Sequence, residues 1–230
     1  MGWLTGEETG VLLLSMQVAL ASIATLAVPG VLTGWLLARC NFHGKSLLDA
    51  LVHLPLVLPP VVTGYLLLLL LGRKGLIGAP LEAWFGLHIA FTWIGAAIAA
   101  SVMAFPLMVR AVRLAIEMTD RETEDAARTL GANPLRVLLT VTLPLAAPGI
   151  LAGLVLAFAR SLGEFGATIT LAGNIPGESR TLPVAIYSYS QMPDGDASVQ
   201  RLVLISVAVS VLALLGSEWL ARRLARRVAA

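Results

Sequence analysis

Five long stretches without a single charged side chain constrain this sequence more than any other feature. The stretches cover residues 9–38, 50–72, 83–109, 137–159 and 202–217. A transmembrane helix needs about 20 mostly apolar residues, and a buried helix of a soluble protein rarely reaches that length. The last stretch extends to about 220 if Glu218 lies near the membrane interface. The sequence therefore predicts an all-α polytopic membrane protein with five transmembrane helices.

The boundaries of these helices follow from the flanking polar residues. We predict a single transmembrane domain over 1–230, in which one long polar segment, 110–145, separates the third and fourth spans. The predicted spans lie near 11–38, 48–71, 89–109, 146–170 and 199–220. The first span is not typical of a cleavable signal peptide, because acidic Glu7 and Glu8 precede it and no basic residue does.

The low charge content excludes several classes of protein. Charged residues make up 13% of the chain, against about 25% in soluble domains. This excludes a soluble globular enzyme and a disordered chain. The formal net charge of +2 gives no basic surface for nucleic acid. Cys40 is the one cysteine, so the sequence contains no disulfide framework.

The basic residues indicate how the chain is oriented. Lysine and arginine concentrate in the cytoplasmic connections of membrane proteins. Two basic residues follow the first predicted span, five lie in 110–145, and four lie in the C-terminal tail at 222–227, where they can also contact anionic lipid headgroups. The opposite side has only Arg73, Lys74, Arg180 and Arg201. We therefore predict an N-terminus outside, a C-terminus in the cytoplasm, and outer loops at 72–88 and 171–198.

Segment 110–145 is too polar to span a membrane and too regular for a passive loop. Thr119 and Glu122 have the spacing of a capping box, which predicts a helix over about 120–130. Gly131 suits the end of that helix, and Asn133-Pro134 begins a second one that ends at Leu143-Pro144.

The first of these two helices has small or apolar residues on one face, namely Thr123, Ala126, Ala127 and Leu130. Two interpretations remain open. The pair of helices is either an amphipathic hairpin on the membrane surface or a docking element that fits a groove of a partner protein.

The spacing within this segment resembles the EAA loop of ABC importer permeases. Asp125-Ala126-Ala127 is followed after three residues by Gly131, and after nine more by Val141-x-Leu143-Pro144. Asp125 replaces the usual glutamate, and Glu124 supplies a carboxylate beside it. In that family the loop is the coupling helix that docks on the ATPase subunit. The resemblance implies a docking loop that contains Glu124, Asp125, Ala126, Ala127, Leu130, Gly131, Leu143 and Pro144.

Three further stretches, 49–62, 157–170 and 173–183, resemble the molybdate permeases of this class. Sulfate permeases share the Gly-Glu-Phe-Gly and Gly-Asn patterns, whereas the stretch from Asn174 to Thr181 favours molybdate. The resemblance implies a type I importer fold in the bacterial inner membrane and a pathway for molybdate or tungstate. A sulfate or thiosulfate permease is the alternative.

The same resemblance implies the partners. They are a second copy of the chain, two cytoplasmic ATPase subunits that bind ATP and Mg²⁺, and an extracytoplasmic molybdate-binding protein. Membrane lipid surrounds the complex, and this chain itself binds no cofactor and no nucleic acid.

Polar residues inside the predicted spans are candidates for the pathway. Arg160 and Glu164 have i, i+4 spacing, and they either form a buried ion pair or leave Arg160 to attract an oxyanion. Ser161, Thr168 and Thr170 are candidate hydroxyl donors to an oxyanion. Pro59 and Pro60, preceded by Pro55, predict a break in the second span that is either a static bend or a hinge lining the pathway.

Motifs of catalysis are missing from the sequence. Gly44-Lys45-Ser46 resembles the end of a phosphate-binding loop, but Arg39 occupies the position where that loop needs its first glycine. The three histidines have no metal-ligand spacing, and no hydrolase motif occurs. A membrane-embedded enzyme that uses Arg160 and Glu164 as catalytic groups is therefore disfavoured, and we predict no catalytic residue and no metal site.

Overall fold

The chain is described here by a computed structural model that covers residues 4–228, with side chains as far as Gly216. The described residues form α-helices and one π-helical segment, Leu138–Thr142, and contain no strand. The α-helices are α1 Gly6–Arg39, α2 Lys45–Val57, α3 Pro60–Leu71, α4 Gly78–Phe85, α5 Trp93–Glu117, α6 Arg121–Thr129, α7 Pro134–Val137, α8 Leu143–Leu162, α9 Gly166–Leu171, α10 Leu182–Ser190 and α11 Asp196–Val228.

Helix α1 begins earlier than the predicted first span because a capping box fixes its start. The Glu8 backbone N–H donates to Thr5 Oγ1 at 3.2 Å, and the Thr5 N–H donates to the Glu8 carboxylate at 2.9 Å. These reciprocal bonds satisfy donors that a helix N-terminus otherwise leaves free. The helix then continues for 34 residues to Arg39, past Pro29.

The core lies where α5 packs between α1 and α8. Small residues bring the backbones close together: a Cβ added to Gly30 would lie 2.6 Å from Met108, and one added to Gly34 would lie 2.6 Å from Val112. A Cβ added to Gly153 of α8 would lie 2.9 Å from Ala111 of α5. Helices inside membranes commonly associate through such small residues, because apolar burial alone does not drive them together.

The second predicted span is two helices rather than one. Helices α2 and α3 meet at an angle of 113°. Leu58 and Pro59 are extended between them, and neither Pro59 nor Pro60 has an N–H with which to continue a helix. The break therefore falls where the prolines predict it, and it is a sharp bend rather than a kink.

The fourth predicted span differs from the structure at both ends. The helix that was expected to end at Leu143-Pro144 instead continues from α7 through the π-helical segment into α8. There the Leu143 N–H donates to the Leu138 carbonyl, five residues back, and this wider turn leads the chain past Pro144. At the other end, the span predicted to reach 170 stops at Leu162, and the short helix α9 follows after three residues.

The predicted outer loops contain helices of their own, because α4 lies in 72–88 and α10 lies in 171–198. Four helices of the described chain are long and apolar enough to cross a membrane, and the bent α2–α3 pair makes five if it counts as one span. The predicted all-α fold with five apolar spans is confirmed. The arginines at 222–227 lie outside the described side chains.

Candidate functional site

Helix α6 forms the predicted docking element, but it begins differently from the prediction. Asp120, not Thr119, caps the helix, and its carboxylate accepts from the Glu122 N–H at 3.0 Å. Thr119 instead donates its hydroxyl to the Ala115 carbonyl at the end of α5. The Thr119 capping box is therefore wrong, because the hydroxyl already has a partner in the preceding helix.

The outer face of α6 presents apolar side chains without cover. Leu130 is 88% exposed, Ala126 is exposed, and Ala127 is half-buried. Asp125 is exposed beside this face, and its carboxylate accepts from Arg128 at 2.8 Å. An exposed leucine beside a small residue and a charge pair is the composition of a protein contact, where an apolar anchor is surrounded by polar groups.

Glu124 does not belong to this outer face, although it is next to Asp125. Its carboxylate is buried and accepts three bonds, from Arg39 Nε at 3.1 Å, from Arg39 Nη2 at 3.0 Å and from the Thr142 hydroxyl at 2.9 Å. Glu124 therefore holds α6 against the end of α1 and the π-helical segment. The expectation that its carboxylate stands in for that of Asp125 on the docking surface is wrong.

The remaining residues of the docking motif have separate roles. Gly131 has a φ of 85°, and its N–H donates to the Arg128 carbonyl at 2.9 Å, which ends α6. Leu143 and Pro144 lie in the first turn of α8. Of the two, Pro144 is exposed and Leu143 is half-buried. The motif is thus a surface helix, a glycine turn and the start of a membrane helix.

We expect Gly131→Val to weaken uptake by the assembled complex while the chain stays in the membrane. A non-glycine residue at positive φ costs about 1–2 kcal/mol, and more for a β-branched side chain. No atom of this chain lies within 4 Å of an added Cβ, so within the chain the substitution strains the backbone without crowding a neighbour. Gly131→Asn is the matched control, because asparagine tolerates positive φ. Uptake that is equal in both variants would contradict a role for this turn.

Arg160 and Glu164 form an ion pair across the end of α8. The Nη1 atom of Arg160 lies 2.5 Å from the Glu164 carboxylate, whose side chain is 2% exposed. The other carboxylate oxygen accepts from the Ala167 N–H at 2.9 Å. Glu164 therefore connects α8 to the start of α9, and the buried-pair interpretation describes the contact that is present. The Arg160 side chain remains 28% exposed.

The hydroxyls predicted to face the pathway are engaged or covered in this chain. Ser161 is buried and lies 2.8 Å from the Ser22 hydroxyl of α1. Thr170 donates to the Gly166 carbonyl at 2.8 Å, and Thr168 is buried. Ser161 and Thr170 therefore already have hydrogen-bond partners within the chain, and Thr168 is covered by it.

The two interrupted spans meet at their breaks, which the sequence did not reveal. A Cβ added to Gly166 would lie 2.7 Å from Pro60 Cβ, and one added to Gly64 would lie 2.6 Å from the Ala167 carbonyl. The start of α3 and the start of α9 are therefore in backbone contact. Non-helical backbone at membrane depth occurs where protein or a polar path satisfies it, so this contact is the structural candidate for the pathway region.

A second polar cluster lies at the opposite end of the molecule, on the predicted outer side. Arg180 donates to Glu7 at 2.9 Å and to Asn174 at 2.7 Å, which ties the loop before α10 to the start of α1. Burial raises the pKa of the nearby Tyr189 hydroxyl, and its hydrogen bond to Glu7 acts in the same direction. This outer loop is therefore held in place by α1.

Sequence reasoning also missed two ion pairs that involve α1. Arg201 donates to Glu8 at 2.7 Å, and Arg39 pairs with Glu124 at 3.0 Å. In the sequence, Arg39 and Arg201 served only to mark the sides of the membrane. The sequence did indicate that the two residues of each pair have opposite charges and lie on the same predicted side of the membrane. Among the described residues, no group of three or more His, Cys, Asp or Glu could hold a metal ion.

Comparison with known proteins agrees with this geometry. Residues 30–228 match the family described as binding-protein-dependent transport system inner membrane component. The molybdenum transport system permease protein ModB of Escherichia coli is 57% identical over 95% of this chain and 96% of its own, and that of Haemophilus influenzae is 52% identical over 96% of each. The sulfate transport system permease protein CysT of Salmonella typhimurium is 39% identical over 86% of this chain and 71% of its own.

Among solved structures, a chain of the inward-facing MetNI methionine ABC transporter superposes with a TM-score of 0.75 at 17% identity, over 96% of this chain and 99% of that one. This likeness confirms the predicted type I importer fold. The family match runs from residue 30, in the last third of α1, to the end of α11. The chain belongs to the family of binding-protein-dependent transport system inner membrane components.

Proposed function

We propose that this chain is the translocation subunit of an ATP-driven molybdate importer in the inner membrane. The observation that carries the proposal is the uncovered outer face of α6, with Leu130 88% exposed, on a helix fixed from beneath by a buried ion pair. That arrangement suits a surface that receives force from a partner. Molybdate is preferred because the molybdenum permeases are more similar to this chain than the sulfate permeases are.

The chain contributes the pathway and transmits movement from the ATPase subunits to it, and it carries out no chemical step. Two cytoplasmic ATPase subunits bind ATP and Mg²⁺ and dock on α6. Because α7, the π-helical segment and α8 are continuous, a displacement of the coupling loop reaches the Arg160–Glu164 pair and the adjoining α3–α9 contact. An extracytoplasmic binding protein delivers the oxyanion to the outer loops. The residues proposed for the pathway are those at the two helix breaks, namely Arg160, Glu164, Pro59 and Pro60.

Uptake of radiolabelled molybdate in a strain that lacks this chain tests the substrate. We expect uptake to require the restored chain and unlabelled tungstate to compete with it, while sulfate competes weakly. Tungstate and molybdate are tetrahedral oxyanions of nearly equal size, so a guanidinium such as that of Arg160 does not separate them. Uptake of labelled sulfate, but not molybdate, that depended on the chain would favour the sulfate alternative.

Two identical copies are proposed to enclose the pathway. One chain with five spans leaves broad apolar faces, for example Val207 and Leu212 of α11, uncovered. Purifying the complex from cells that express two differently tagged copies tests this directly, because each tag should recover the other. A second, different permease chain in the complex would contradict the homodimer and agree with the sulfate alternative.

The orientation is proposed from the arginine distribution, with the N-terminus outside and the C-terminus in the cytoplasm. Cys40, the single cysteine of the chain, follows the end of α1 and is partly exposed. A membrane-impermeant thiol reagent should therefore label it in inverted vesicles and not in intact spheroplasts. The reverse pattern would contradict the proposed orientation.

A further inference from the structure

Helix α1 forms an ion pair near each end, and each pair joins it to a different helix. At the end near α6, Arg39 pairs with Glu124. At the other end, Glu8 pairs with Arg201 at the start of α11. Glu8 and Arg39, the α1 residues of these pairs, are 31 positions apart, which is roughly 45 Å along a helix. The helix therefore connects the docking element with the opposite face of the membrane.

The inner pair is a network rather than a single contact. Both side chains are under a tenth exposed. Arg39 also donates from Nη2 to the Thr119 carbonyl at 2.9 Å, so it contacts the α5–α6 junction as well as α6 itself. The hydroxyl of Thr142, in the π-helical segment, donates to the same Glu124 carboxylate. A displacement of α6 therefore breaks buried, charge-assisted bonds unless the end of α1 moves with it.

The outer pair is less enclosed, because the Arg201 side chain is 27% exposed while Glu8 is buried. Glu8 is 1% exposed and accepts from two nitrogens of Arg201, of which Nη2 is 2.7 Å away. Seven residues further along α1, the buried Ser15 hydroxyl accepts from the Leu182 N–H at 2.6 Å, which attaches α10 to α1 as well. The outer end of α1 is thus bonded to both helices that follow the pathway region in the sequence.

Between its two ends α1 has little freedom to slide or bend separately. Gly30 and Gly34 bring its backbone against Met108 and Val112 of α5, and both of those side chains are fully buried. Packed interfaces of this kind respond as units rather than by continuous deformation. A shift at one end of α1 is therefore carried along the helix instead of being absorbed in the middle.

We propose that α1 is the strut that transmits the position of the coupling helix to the outer ends of α10 and α11, and that Arg39, Glu124, Glu8 and Arg201 are its positioning residues. This inference rests on the proposed function, since it assumes an ATPase that docks on α6. It predicts that removing the outer pair changes ATPase activity on the other side of the membrane. A role confined to local folding does not produce that effect.

The test uses the purified complex with its ATPase subunits in lipid nanodiscs. The measured quantity is the ratio of ATPase activity with and without the molybdate-loaded binding protein, per assembled complex. Two neutral double variants, R39Q/E124Q and E8Q/R201Q, each remove a pair without leaving a lone buried charge. We expect both to lower the ratio by about fivefold or more, the lower range of allosteric coupling. Arg39→Lys keeps one charged contact and should retain an intermediate ratio.

The matched control is R113Q/D49N, which removes a half-exposed pair at 3.3 Å between α5 and α2 and does not involve α1. It should leave the ratio as in the wild type. If the ATPase ratio is unchanged in both double variants while the complex stays assembled, the proposed role of α1 is overturned. If the wild-type complex itself shows no stimulation by the molybdate-loaded binding protein, the proposed function fails instead, so the two failures are distinguishable.

Discussion

A Leu130→Asp variant is expected to lose its ATPase subunits while the chain itself remains folded in the membrane. Leu130, the residue that follows α6, is 88% exposed, so the change removes little contact within the chain. At an interface, truncation of a central anchor commonly costs at least about 2 kcal/mol, which corresponds to roughly a 30-fold loss of affinity. A buried carboxylate costs more than a truncation. The measurement is recovery of the ATPase subunits with a tagged chain, beside uptake in cells.

Leu130→Met is the control for this experiment, because methionine keeps an apolar side chain of similar volume. It should recover the ATPase subunits as the wild type does. Thr129→Asp adds a second comparison on the same helix, since it places a new carboxylate one residue away on another face. Full recovery of the ATPase subunits with Leu130→Asp would mean that α6 does not dock through its apolar face.

The second large effect is expected at the contact of the two broken spans. In a Gly64→Ala variant the new Cβ would lie 2.6 Å from the Ala167 carbonyl and 2.8 Å from Ala167 Cα. Both are backbone atoms, so no side chain can rotate away. Overpacking costs about 1–3 kcal/mol where some relaxation is possible. We expect α3 and α9 to separate, with a lower melting temperature of the purified complex and loss of uptake.

Gly163→Ala is the matched control for the Gly64 variant. An added Cβ there meets only the Ala159 carbonyl, at 3.7 Å, which is an ordinary contact. Its φ of −91° suits any residue. The two variants add the same methyl group near the same helix break, so a difference between them isolates the α3–α9 contact. Equal melting temperatures and equal uptake would show that this contact is neither tight nor functional.

The elements that follow from local sequence were predictable. Runs of uncharged residues located the spans, Pro59 and Pro60 located the break in the second, and Gly131 located the end of α6. Each of these depends on a property of the residue itself, such as length of an apolar run, a missing N–H or tolerance of positive φ. The continuity of α7 into α8 was not predictable in this way, because a π-helical turn leaves no clear local pattern.

The pairing of residues distant in sequence was not predictable either. Ser161 looked like a pathway hydroxyl until the structure placed it against Ser22, 139 residues earlier. Likewise, Glu124 and Asp125 are equivalent in any local pattern, and only the packing of α6 on α1 makes one buried and the other exposed. The sequence identifies which residues are unusual in a membrane helix, and the tertiary fold decides what each of them contacts.

The opposite orientations of Glu124 and Asp125 have a consequence for exchanging parts between importers. Position 125 is exposed on the surface proposed to dock the ATPase subunit, so it is free to change together with that subunit. Position 124 belongs to the interior of its own chain and is constrained by Arg39 and Thr142. A permease re-engineered to accept a foreign ATPase should therefore be altered only at outer positions such as 125, 126 and 130, with Glu124 kept as it is.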